Sequence, residues 1–263
     1  MVNLFSAQKT QITVTGTGTV TTIRDVGGNL CTMHPVVEAL LANEYAAQKS
    51  DEWLALRGKM LTASDAATAI GVNKYEKPDD LILKKCGLNK FTGNEATEHG
   101  NKYENVARDI YCERYGEVAH EIGLHPHPVY NWLGGSPDGI TESGKLVEIK
   151  CPLRRVITPE VPEHYLPQVQ LCMEILNLEE CDFIQYKPEE ITWPSPPEFV
   201  VTNVKRDREW FATNLPIMDA FWKRVLWHRE HGIEDILPKP KVTRKKAEKV
   251  KPSCMIEYEE ENM

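Results

Sequence analysis

Two carboxylates and a lysine stand at a spacing that suits metal-assisted chemistry. They lie in Ser136-Pro137-Asp138-Gly139 and in Glu148-Ile149-Lys150-Cys151-Pro152, with nine residues between Asp138 and Glu148. In a strand, side chains alternate between faces, so Glu148 and Lys150 point one way while Val147 and Ile149 point the other, into a core. Pro152 ends that strand soon after Lys150. Carboxylates from neighbouring strands can hold a divalent ion between them, and hard oxygen ligands suit Mg²⁺ or Mn²⁺. Such an ion lowers the pKa of a bound water and neutralises charge on a phosphate. Lys150 can hold that hydroxide and offset developing negative charge. A surface hairpin with an incidental Glu–Lys pair would show the same letters. The apolar neighbours Leu146, Val147 and Ile149 favour the metal reading, because buried charge is costly unless it is paired or on a metal.

These residues need elements to position them. Residues 129–151 read as two strands around a turn at Glu142-Ser143-Gly144. The amphipathic stretch Glu98–Tyr115 carries Tyr103, Val106, Ala107, Ile110 and Tyr111 as its apolar stripe, with Gly116 as its stop and Glu104 at the border of the stripe. Further helices are expected over Pro35–Lys49, Ser64–Ile70 (stopped by Gly71), Pro78–Cys86, Tyr165–Asn177 and Asp207–His231. Strands are expected at Asp182–Tyr186 and Phe199–Val204, with the proline-rich 187–197 as a loop. Residues 1–33 read as an arm, either frayed or a docked hairpin with a turn at Gly27-Gly28. Residues 34–238 read as the globular domain, and 239–263 as a charged, disordered tail.

Bulk properties narrow the class. The seven cysteines are scattered singly, so neither a CxxC zinc site nor a disulfide framework is indicated. A net charge of −8 speaks against a general DNA-coating protein but leaves room for an enzyme with a local basic channel. No window approaches the ~18–20 apolar residues of a membrane span, and Met1–Gln11 lacks a secretory pattern, which gives an intracellular expectation. His125 and His127 alternate like a ligand pair, but the flanking Pro126 and Pro128 favour a loop or edge strand. His99 is expected as a cap. The stripe Phe211–Trp222 is expected as core or subunit interface.

Five ordered motifs between about residues 53 and 186 resemble the phage-type alkaline exonuclease family of the PD-(D/E)XK superfamily. That family includes lambda exonuclease and the YqaJ-like viral recombinases. The motifs are Trp53-Leu-Ala-Leu-Arg57 leading to Leu61-Thr-Ala-Ser64, Gly100-Asn-Lys-Tyr103-Glu104-Asn-Val-Ala107-Arg, Ser136-Pro-Asp138-Gly, Glu148-Ile-Lys150-Cys-Pro, and Gln168-Val-Gln170. The resemblance implies an α/β restriction-endonuclease-like fold with a mixed central sheet flanked by helices. It implies Asp138, Glu148 and the Ile149 carbonyl as metal ligands, with Glu104 reaching a second metal, and Lys150 activating water. Tyr165 and Gln168 would approach the scissile phosphate, and Arg57, Ser64 and Ser136 would hold a terminal 5′ phosphate. The implied activity is Mg²⁺-dependent 5′→3′ digestion of double-stranded DNA ends, feeding a single-strand annealing protein in viral or phage recombination, with a homotrimer as the implied assembly. Two other readings stand beside it. One is a structure-specific endonuclease or a CRISPR-associated end-processing nuclease of the same superfamily, the latter weakened by the lack of a cysteine cluster. The other is a non-catalytic DNA-binding or assembly protein that retains the fold. A basic residue after the Glu-x-Lys strand belongs to the family pattern, and Arg154 and Arg155 are the candidates here.

Overall fold

The computed structural model describes residues 22–24, 30–43, 45–88 and 93–237. Most of the N-terminal arm, with the expected turn at Gly27-Gly28, and the charged tail lie outside them. A short antiparallel pair, β1 (Thr22–Arg24) and β2 (Leu30–Thr32), precedes the main body. There follow α1 (Pro35–Leu41), α2 (Asp51–Gly58), β3 (Leu61–Thr62), α3 (Ala66–Ala69), α4 (Pro78–Lys85) and α5 (Glu95–Tyr115). Then come β4 (Ala119–His120), β5 (His125–Pro126), β6 (Leu133–Gly135), β7 (Gly139–Thr141) and β8 (Lys145–Lys150). The chain continues with α6 (Leu166–Leu176), β9 (Glu180–Lys187), α7 (Glu189–Thr192), β10 (Glu198–Lys205) and α8 (Arg208–His231).

The central sheet runs β10-β9-β8-β7-β4. It is mixed: β8 and β9 are parallel, and the other neighbours are antiparallel. A parallel pair needs a crossover, and α6 provides it. The alternation in β8 sorts its side chains as expected. Val147 and Ile149 pack with Ile184 and Tyr186 against Tyr103, Ala107 and Tyr111 of α5. Leu146 joins Cys181 and Phe183 in the core beneath α6. Burying each of these apolar side chains stabilises the fold by about 1.5–3 kcal/mol. Helix α6 is buried almost all round, as its sequence of mostly apolar residues requires. It lies between the sheet and a layer formed by α3 and α8.

A second, three-stranded sheet, β3-β6-β5, brings Thr62 beside Gly134 in a parallel pair. The reading of 129–151 as two strands therefore needs correction. The turn at Glu142–Gly144 joins β7 to β8, but β6 belongs to this other sheet. Two further boundaries move. Helix α1 ends at Leu41 instead of Lys49, because the chain bends to lay Tyr45 on the His125 ring, 3.6 Å between centroids. Helix α5 begins at Glu95, with Asn94 accepting from the Thr97 N–H, so His99 is not the cap. The segment 187–197 also contains the single turn α7. No helix among the described residues is long and apolar enough to cross a membrane.

Candidate active site

Asp138 sits one residue before β7, where the strand has not yet begun to pair. Its Oδ2 accepts the Ile149 N–H of β8 at 2.7 Å, which holds the carboxylate across the end of β8. Glu148 is fully buried on the α6 face of that strand. Its Oε1 accepts from both the Lys150 ammonium and the Gln168 side-chain amide. Its Oε2 is buried and, among the described residues, has no hydrogen-bond partner. Glu104 reaches in from α5 with Arg108 at 3.6 Å behind it. A cleft of about 400 Å³ opens over these groups, lined by Glu104, Asp138, Ile149, Lys150, Cys151 and Tyr165.

The electrostatics follow from burial among like charges. Glu148 is pushed up to about 7, first by loss of solvent and then by Asp138, against the pull of Lys150. Glu104 is raised for the same two reasons in the same order. Burial works against the charge on Lys150, but Glu148 and Asp138 more than offset it and raise its pKa. Lys150 therefore stays an ammonium at neutral pH, suited to donating hydrogen bonds and offsetting negative charge rather than to taking a proton. The Cys151 thiol is pushed up to about 12 by burial and the nearby carboxylates, which rules it out as a thiolate nucleophile.

The donor set fits a hard divalent cation. Leaving a buried carboxylate oxygen without a partner is costly, and a cation beside Glu148 Oε2 would remove that cost. Among the described residues, no three His, Cys, Asp or Glu side chains already converge as a cage. A main-chain carbonyl and water would therefore share the coordination with Asp138 and Glu148, as is usual for Mg²⁺.

Of the expected residues, Tyr165 and Gln168 do converge here. Gln168 orients Glu148, and the Tyr165 ring lies 5.3 Å from the Lys150 ammonium. Arg57, Ser64 and Ser136 assemble next door. The pairing of β3 with β6 carries Ser64 and Ser136 to the same end of the small sheet, and Ser136 is two residues from Asp138. Arg57 donates to Ser64 Oγ at 2.8 Å. The Trp53 indole N–H donates to Ser136 Oγ at 3.2 Å, and the Arg57 guanidinium rests 4.4 Å above the Trp53 ring. Trp53 thus ties Arg57 to Ser136, although its sequence motif suggested no role for it. Indole is the side chain that offers both a face for a cation and an N–H donor. Arg155 bonds Gln185 at 2.7 Å and lies 6.0 Å from the Tyr165 ring, whereas Arg154 is exposed beside Glu95 at 3.3 Å. His125 and His127 stay apart from this site. His125 Nδ1 pairs with the Gly123 carbonyl at 3.0 Å, and His127 accepts two backbone N–H groups and stacks on Phe211.

The matched family model settles the relationship. Residues 52–179 match the YqaJ-like viral recombinase domain, a span that holds every candidate residue above. Over that span the chain is similar to this domain. The YqaJ protein of Bacillus subtilis is 30% identical over 138 residues, 49% of this chain and 43% of that protein. A protein of Acanthamoeba polyphaga mimivirus is 34% identical over 162 residues, 54% of this chain and 30% of that protein. The chain spans less than half the length of these curated relatives. An alkaline exonuclease from Laribacter hongkongensis, known by crystal structure, superposes with a TM-score of 0.59 at 27% identity, over 69% of this chain and 95% of that one. The same enzyme has also been solved with dAMP. The YqaJ-like domain therefore has the PD-(D/E)XK exonuclease fold, with its mixed sheet flanked by α5 and α6.

Proposed function

We propose that this chain is a divalent-metal-dependent deoxyribonuclease that digests linear duplex DNA from its 5′ ends. The observation that carries the reading is the Arg57–Ser64 pair, tied through Trp53 to Ser136, which stands two residues before Asp138. A guanidinium and two hydroxyls suit a terminal phosphate, which has more free oxygens than an internal phosphodiester. Asp138, Glu148 and the Ile149 carbonyl would hold Mg²⁺ or Mn²⁺, with Glu104 near a second ion. When bound, the ion lowers the pKa of a water and neutralises charge on the phosphate.

The chain's own groups do the rest. Gln168 fixes Glu148 with one oxygen left free. Lys150, held as an ammonium, donates toward the attacking oxygen and the developing phosphorane charge. Tyr165 closes the side of the cleft. Attack of water on phosphorus with cleavage of the P–O3′ bond releases the 3′ oxygen as a hydroxyl. The scissile phosphate then stays on the 5′ oxygen of the strand left behind, and the released nucleotide keeps the 5′ phosphate it already carried. The strand left behind therefore ends in a new 5′ phosphate, which would reach Arg57, Ser64 and Ser136 when the strand advances by one nucleotide. Comparison with an alkaline exonuclease solved with dAMP supports a mononucleotide product. An annealing protein that takes up the exposed strand, and a ring of three copies around the duplex, belong to the same proposal.

The test is digestion of linear duplex bearing 5′ phosphate or 5′ hydroxyl, with Mg²⁺ or EDTA, beside nicked circular DNA. Phosphorylated linear ends should be degraded fastest, and only with metal. Cleavage within intact circles, or digestion from 3′ ends, would overturn the reading.

A further inference from the structure

Lys85 lies in α4, outside every motif that the proposed reaction uses. Its side chain is 9% exposed, an unusual place for a lysine. All three ammonium protons have acceptors. The carbonyl of Arg57 lies at 2.9 Å, that of Met60 at 2.8 Å, and Asp65 Oδ2 at 2.7 Å. The first two are carbonyls at and just past the C-terminus of α2, the end that carries Arg57. The third begins a wired sequence of donors. Asp65 Oδ2 also accepts from the Thr62 N–H at 3.1 Å and from the Thr62 hydroxyl. An ionised carboxylate can only accept, so the single Thr62 hydroxyl proton is committed to Asp65. The 3.0 Å contact between Thr62 Oγ1 and Ser64 Oγ then has Ser64 as its donor. Ser64 Oγ in turn accepts from Arg57 Nη2. The chain of donors runs Arg57 to Ser64 to Thr62 to Asp65, and Lys85 closes it at both ends, holding the Arg57 carbonyl and the Asp65 carboxylate at once. Such a chain is cooperative, and its geometry rests on the ammonium that joins its two ends.

We propose that Lys85 is a positioning residue for terminal-phosphate recognition: it fixes the separation and orientation of Arg57 and Ser64. This rests on the reading of Arg57, Ser64 and Ser136 as a phosphate pocket. Lys85 does not touch the phosphate. Its neighbour Lys84 points away and pairs with Glu76 at the surface.

The experiment compares Lys85→Met, Asp65→Asn, Arg57→Ala and the control Lys84→Ala in the full chain, on linear duplex ends with 5′ phosphate and 5′ hydroxyl. Misplacing a binding group by a fraction of an ångström is costly, so Lys85→Met should raise KM for phosphorylated ends about tenfold. It should leave kcat at saturation and the KM for hydroxyl ends within about twofold. Combining it with Arg57→Ala should add no further loss of preference, since both act on one pocket. Lys84→Ala should keep the preference. Where Lys85→Met does not fold by circular dichroism, Asp65→Asn, which keeps the volume and removes the charge, should shift the preference in the same direction. A folded variant that keeps the full preference, or that loses kcat equally on both ends, overturns the role of Lys85. If Arg57→Ala leaves the preference intact, the pocket reading itself fails, and the proposal with it. If Arg57→Ala erases the preference and the Lys85 and Asp65 variants do not, only the positioning role fails.

Discussion

The carboxylate cluster and the Arg57 cluster of this chain are built on opposite principles. Around Asp138 and Glu148, carboxylates are crowded together, one buried oxygen has no partner among the described residues, and Glu148 is raised well above the usual carboxylate range. Around Arg57, each strong group has been given a partner: Arg57 on Ser64, Ser64 on Thr62, Asp65 on Lys85, Trp53 on Ser136. In the proposed reaction a cation would complete the first region. The second is already assembled, so a terminal phosphate bound there, as proposed, would cost little ordering entropy. In the proposed reaction the first region would cut and the second would grip the end beside it.

The sharpest way to break the comparison is to remove one anchor of each region. Asp138→Asn should lower cleavage by on the order of 10³-fold on every substrate, because charge stabilisation at the reacting phosphate is lost. Arg57→Ala should lower kcat/KM for phosphorylated ends by about 10- to 100-fold, the loss of one charge-assisted contact, and should spare hydroxyl ends. Equal effects on both ends would merge the two regions into one.

The pH responses of the two regions should differ in sign. Glu148 has a folded pKa raised to about 7, so its contribution to stability is present below the ordinary carboxylate pKa and is lost as pH rises through about 7. Asp65 moves the other way. Burial opposes its charge, but Lys85 and Thr62 more than compensate and lower its pKa, so its contribution is present above the ordinary value and is lost in acid. In EDTA, the melting temperature of the wild type should fall between pH 5 and pH 8, and added Mg²⁺ should restore more at pH 8 than at pH 5. The Asp65→Asn variant should lose less than the wild type when pH drops from 5 to 3. A Mg²⁺ effect independent of pH would sink the account of Glu148. The smallest expected effect is that of Trp53→Phe, which keeps the aromatic face and deletes one N–H donor. Preference for phosphorylated ends should drop by about fivefold, equivalent to about 1 kcal/mol.

The site was more legible in the sequence than its supports were. Alternation alone places Glu148 and Lys150 on one face of β8 and Val147 and Ile149 on the other, because a strand six residues long has a period to read. The ordered motifs named Arg57, Ser64 and Ser136, and the structure does bring them together. What joins them was not legible. Strand β3 has two residues, too few for any periodic signal, and its pairing with β6 is a long-range event. Lys85 reads as one of two adjacent lysines near the end of an amphipathic helix, and nothing in its neighbours tells it from Lys84. The early end of α1 has the same cause: Tyr45 fits a helical stripe, but its ring is worth more against His125. Local pattern is overridden wherever a partner distant in sequence offers a better contact.

The pairing of Leu61 with Leu133 has a consequence for the order in which the molecule is made. The hairpin β7–β8 closes over a few residues and needs nothing distant, so it can form within microseconds of being released from the ribosome. Strand β3 emerges far earlier and has no partner until β6 has followed it out. At about 5–20 residues per second, that interval is several seconds. For that time Leu61 and Thr62 are an unpaired strand edge. The short length of β3, two residues followed directly by a helical turn, limits what such an edge can recruit from other nascent chains.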